Sequence, residues 1–202
     1  MRPLFMFSLS LPLSLPLLLP LSAAPVPKTP PADWKTAIRD REFDFRRDGM
    51  RPHAISSVQA ARKAGFVAEF VEDPEGWDGV FAFAKKDGPK LTVRGHTYST
   101  AVVRGDALYF AYFTRGLVAG GRIAAYDLTT GKKGWEKYFE DLGTTCGDYL
   151  TIAVEEHPTA KGAFALVATG WHVAAAFIEV LDLSTGKQLA LKKLEPGDDP
   201  AR

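Results

Sequence analysis

Four polar residues near the ends of apolar runs, Asp78, His96, Asp148 and His172, are of types that could do acid–base chemistry or grip a small ligand. An imidazole titrates close to neutrality, and a carboxylate can orient it or exchange a proton with it, so a loop cluster of the two is the least that such a site needs. The spacing supports nothing more elaborate. His53, His96, His157 and His172 stand singly, with no second His, Cys or carboxylate at the intervals that hold zinc. The stretch GHTYST (95–100) places His96 near Ser99 but has no nucleophile elbow and no third partner. It reads as the start of a strand with hydroxyls facing solvent. Glu72, Asp73, Glu75 and Asp78 crowd VEDPEGWDG (71–79), where paired carboxylates could take calcium or serve a glycosidase. Their spacing fits no calcium loop, and Pro74 with Gly76 makes a surface turn. The glycines of RGLVAGGR (115–122) lack the strand–loop–helix context of a phosphate site and suit a long hairpin. No catalytic residue, cofactor or metal is assigned; Asp78, His96, Asp148 and His172 stand as candidate ligand-site residues.

The elements that must position them begin after an unusual start. Arg2 is followed by an uncharged run, LFMFSLSLPLSLPLLLPLSAA, that ends on the small residues Ser22, Ala23 and Ala24. Charge, apolar stretch and small-residue end are the parts of a secretory signal, so residues 1–24 are expected to be cleaved on export. The run is long enough for a spanning helix to be weighed. Pro12, Pro16 and Pro20 oppose one, because each removes a backbone donor and clashes with the preceding turn. No Cys near residue 24 offers a lipid attachment point. The expected destination is a periplasm, the cell envelope or the exterior, with no stable membrane span after cleavage.

Losing Arg2 from 25 basic residues leaves 24 against 24 acidic ones. That balance supplies no field to gather nucleic acid or anionic lipid. Cys146 is the sole cysteine, which excludes an intramolecular disulfide. Its setting, GTTCGDY, reads as a turn before a strand, with the thiol buried and inert.

Residues 25–32, PVPKTPPA, form a Pro-rich tether, and residues 33–202 a single β-rich domain. Two short helices are expected within 33–65. Asp33 can cap WKTAIRDREF, which has Trp34 and Ile38 on one face; AISSVQAARKAG has Ile55, Val58 and Ala61 at helical spacing, and Gly65 as its stop. Between them, Phe43 and Phe45 alternate with charges, as in a short strand. From Phe66 the pattern changes to short runs of β-branched and aromatic residues separated by turns. First strands are expected over 66–98, followed by two four-stranded antiparallel meanders over 99–139 and 149–194. ALYFAYF (107–113) is apolar on both faces and should be covered on both sides.

YDLTTGKKGW (126–135) and LDLSTGKQLA (181–190) share the frame apolar–Asp–Leu–hydroxyl–Thr–Gly–Lys. Asp can accept backbone amides across the turn, the hydroxyls do so more weakly, and Gly supplies the positive φ of a tight hairpin. With Gly105 and Gly121 before successive strands, and Trp135 after the turn, residues 99–194 resemble the repeat of quinoprotein-like (pyrroloquinoline-quinone-type) β-propellers. The resemblance implies four-stranded blades and a tryptophan packed between them; the second copy departs from it, with Ala190 where the first has Trp135. The family's quinone is not carried over, because no quinone-binding residue is matched. A closed propeller needs more blades than this length allows. The expected fold is therefore mainly β: blade-like meanders, or a rolled or sandwiched sheet, with a short helical N-terminal part.

The expected function is an exported, non-catalytic binding or scaffolding domain, with a protein partner or self-association through sheet edges. The alternative is an enzyme or small-ligand binder with its site at the strand-end loops.

Overall fold

The computed structural model describes residues 32–41, 54–74, 76, 78–114, 120–139, 149–172 and 175–194. The signal, most of the tether, Phe43, Phe45, Cys146 and Asp148 lie outside these residues. Helix α1 spans Trp34–Arg39 and α2 spans Ala54–Lys63. The strands are β1 Val67–Glu72, β2 Asp78–Ala84, β3 Leu91–His96, β4 Thr100–Arg104, β5 Ala107–Thr114 and β6 Gly120–Asp127. They continue with β7 Lys133–Phe139, β8 Tyr149–Glu156, β9 Phe164–His172, β10 Ala175–Leu181 and β11 Gln188–Leu194. Each strand pairs antiparallel with its neighbour in sequence, giving one three-stranded sheet, β1–β3, and two four-stranded meanders, β4–β7 and β8–β11. The expected mainly β fold is what the chain adopts, and its sheets are open rather than closed into a barrel.

Period-two alternation gives each sheet two faces, and the burial pattern shows how the sheets stack. Phe81, Phe83, Leu91 and Val93 of the first sheet pack against Leu108, Phe110 and Ala124 of the second. The second sheet's opposite face, with Tyr109, Ala111, Ile123 and Phe139, packs against Leu150, Ile152, Leu166 and Leu181 of the third. β5 is thus covered on both sides, as its sequence requires: Leu108, Phe110 and Ala111 are all 0% exposed. The outer face of the third sheet carries Val167, Ile178, Val180 and Ala190, and there the partner is a helix: Trp34 and Ile38 of α1 cover it.

Both repeated turns have the geometry that their residues demand. Asp127 Oδ1 accepts the Thr129 and Thr130 amides at 2.7 and 3.3 Å, and Asp182 Oδ1 accepts those of Ser184 and Thr185 at 3.1 and 2.8 Å. Gly131 and Gly186 take φ of 69° and 68°, a region costly for a residue with a Cβ. A register shift accompanies each hairpin, at Ala125/Tyr126 and at Val180/Leu181.

The helices end where their residues dictate. Asp33 caps α1 by accepting the Thr36 amide at 3.3 Å. After α2, Gly65 adopts φ 87° as the stop, and the helix buries Val58 and Ala61 in the core shared by the first two sheets. Ser57 of α2 donates to the Ser99 carbonyl at 2.9 Å and accepts the Ala101 amide at 3.0 Å, tying the helix to the start of β4. Here the structure corrects one expectation. Thr97 and Ser99 do not face solvent; they are 5% and 0% exposed. A Cβ at Gly95 would come within 2.9 Å of Ser99 Oγ, so β3 and the β3–β4 turn pack closely against each other.

Candidate functional site

Strand register places two of the four candidate residues together. Asp78 opens β2 and His96 closes β3, and they are direct cross-strand partners. His96 Nδ1 accepts the Tyr98 amide at 3.2 Å, which puts a neutral ring's proton on Nε2, and the ring lies 5.0 Å from that of Tyr98. His172 closes β9, opposite Ala175 of β10. Asp78 and His96 stand on the first sheet and His172 on the third, with the second sheet between them. Among the described residues no group of three His, Cys, Asp or Glu could hold a metal ion.

Alternation alone does not reveal a polar cluster on the second sheet. The Tyr112 hydroxyl of β5 donates to Glu136 of β7, and Lys133 holds the other carboxylate oxygen at 3.0 Å. Arg122 of β6, the partner of both Tyr112 and Tyr138, sits 5.4 Å from the Tyr138 ring centroid. Burial, reinforced by the bond to Glu136, pushes the Tyr112 hydroxyl well above the usual tyrosine range. The same bond, with Lys133 beside it, draws Glu136 below the usual carboxylate range. The two protons are driven apart, so the pair holds its charges fixed rather than passing a proton.

Among the described residues the two most exposed large hydrophobic side chains lie elsewhere, on the outer face of the first sheet. Phe70, Phe81 and Val93 point into the core, so period-two geometry turns Val67, Glu69 and Val71 of β1, Val80 and Ala82 of β2, and Thr92 and Arg94 of β3 outward. Val67 and Val71 are 63% and 61% exposed. Two ion pairs cross this face: Lys90 to Glu69 at 2.5 Å, and Arg94 to Asp73. The first spans β2 and leaves Ala82 only 5% exposed. Exposed aliphatic residues framed by charges make a surface suited to contact rather than to chemistry.

An open cleft of about 500 Å³ runs between the end of α2 and two hairpins, lined by Gly65, Phe66, Lys85, Val103 and Asp106. Lys85 is paired with Asp106 across it, so the pair presents no net charge to an anion. No helix among the described residues is long and apolar enough to cross a membrane. Compared with known proteins, the chain matches no family model, no curated protein and no solved structure.

Proposed function

We propose that this chain is an exported, non-catalytic binding or scaffolding domain whose contact surface is the outer face of β1–β3. The carrying observation is an asymmetry between the ends of the stack. At one end Trp34 and Ile38 bury the sheet face; at the other, Val67 and Val71 remain more than half exposed. Export is the reading of residues 1–24, and blade-type repeats that of residues 99–194. Support for the repeats comes from the duplicated Asp-capped turns and from Trp135, which packs at the junction between the second and third sheets.

The rival reading, an enzyme or small-ligand binder at the strand ends, draws on the pairing of Asp78 with His96. A photo-crosslinking residue at position 71 of the full chain, expressed in its own cells, separates the two. The binding reading expects one discrete, stoichiometric adduct whose partner is identified by mass spectrometry and survives moderate salt. No adduct from position 71 would sink it and turn attention to small ligands at Asp78 and His96.

A further inference from the structure

We infer that the outer face of the first sheet pairs with the same face of a second copy of this chain, about a two-fold axis parallel to the strands. This rests on the contact-surface reading above and names its occupant.

The argument begins with what the fold forbids. Head-to-tail stacking would seat the open first sheet of one copy on the outer face of another copy's third sheet. That face is already filled: Trp34 and Ile38 are 6% and 4% exposed against Val167, Ile178 and Val180. Lys192 holds the backbone of α1 and its exit through the Arg39 and Arg41 carbonyls at 3.0 and 2.6 Å, and Arg41 clamps Glu155 with both oxygens at 2.9 Å. With one end closed, the sheet-on-sheet contact left to the open face is with the same face of a second copy. Such an isologous contact stops at two chains.

Charge then selects the geometry. On this face the acids Glu69 and Asp73 lie on the β1 side and the bases Lys90 and Arg94 on the β3 side, each acid paired with a base of its own chain, while Asp78 lies at the end of the central strand. A two-fold axis along the strands and between the faces lays the β1 side of one copy over the β3 side of the other. Glu69 then meets the second copy's Lys90, and Asp73 its Arg94, in both directions. Along the axis run Val80, Ala82 and Ala84 of β2, whose short side chains allow two sheets to approach to ~10 Å. Val67 and Val71 come to lie over the aliphatic stems of Lys90 and Arg94 and lose their water.

Three strands at ~4.8 Å spacing and six residues at ~3.3 Å give roughly 300 Å² in projection, so the pair should be weak. The test is sedimentation equilibrium of the protein purified after export, from about 5 to 500 μM, a range centred on weak association. The expected result is a rise from one-chain to two-chain mass, with no larger species. Glu69→Lys leaves two lysines at positions 69 and 90, and Lys90→Glu leaves two glutamates there. Each variant alone should remain a single chain, and an equimolar mixture should regain the two-chain mass. Circular dichroism checks that both variants keep the wild-type fold.

A wild-type chain that stays single throughout the range overturns the inference, as does a dimer that both variants leave intact or that the mixture fails to restore. An adduct from position 71 to a different protein overturns this occupant alone and leaves the contact-surface reading standing. Absence of any adduct removes both.

Discussion

The indole of Trp135, on β7, lies directly against Gly186 in the hairpin between β10 and β11, and its Nε1 donates to the Leu183 carbonyl at 3.0 Å. The Tyr109 hydroxyl reaches the same carbonyl at 3.3 Å. A side chain from the second sheet thus closes a turn of the third. Gly186→Ala adds a Cβ at φ 68° and drives it into the ring, and should cost about 2–3 kcal/mol. Trp135→Ala should cost about 3 kcal/mol through lost packing and the loss of one of the two hydrogen bonds to the Leu183 carbonyl. The double variant should cost clearly less than the sum, because the clash vanishes with the ring. Urea unfolding of all four proteins measures this coupling; strict additivity would mean the two positions do not meet.

Further along the same junction, Lys137 of β7 bonds Glu179 of β10 at 2.5 Å, and Glu179 is 4% exposed. Lys137→Met leaves a buried carboxylate without its partner and should cost about 3–5 kcal/mol. Replacing both, as Lys137→Met with Glu179→Leu, should recover most of that loss, since desolvating two charges offsets much of their attraction. Thermal melts of the two variants show whether the recovery occurs.

Asp182 is held below the usual carboxylate range by the hydroxyl of Ser184 first, then by Thr185 and the turn amides. A carboxyl whose folded-state pKa is depressed adds stability that is present above its unfolded value. That stability is lost as pH falls through the folded value. Asp182→Asn, which keeps an acceptor but removes the charge, should therefore lower stability by about 1 kcal/mol at neutral pH. The gap between wild type and variant should hold at pH values above the ordinary carboxylate range and close only as pH falls through the depressed folded value, below the ordinary aspartate pKa of about 3.9. Asp127, depressed by the same kind of turn, should respond in the same direction. Chemical denaturation at several pH values follows both.

At the capped end, Trp34 meets His157 edge-on at 4.9 Å between ring centroids, and His157 Nδ1 accepts the Ala160 amide at 3.1 Å. Trp34→Ala should cost about 3–5 kcal/mol. It should also uncover Val167, Ile178 and Val180, so the variant is expected to form large assemblies in which the exposed face finds other chains. Light scattering beside the melting curve checks both parts; a destabilised variant that stays monodisperse would mean α1 contributes packing but does not guard the face.

Much of this molecule was legible in the residues themselves. Apolar, β-branched and aromatic runs between turns located strands such as β5 and β9, and Asp–x–x–Thr–Gly–Lys located both tight hairpins, because strand preference and positive φ are properties of a few neighbouring residues. Two-sided apolarity in ALYFAYF likewise announced a sheet covered on both faces. The partners across the stack were not legible. Nothing local tells Ala190 that Trp34 will cover its sheet face, or Glu179 that Lys137 will neutralise it. Ser99 and Thr97 look like surface hydroxyls until Gly95 brings the chain close enough to bury them. Asp78 and His96 became neighbours through strand register, while His172 was set apart by an intervening sheet. Local preferences act through a residue's own backbone and its next few neighbours, whereas sheet order, end capping and ion pairing depend on surfaces far apart in the chain; those only the tertiary structure decided.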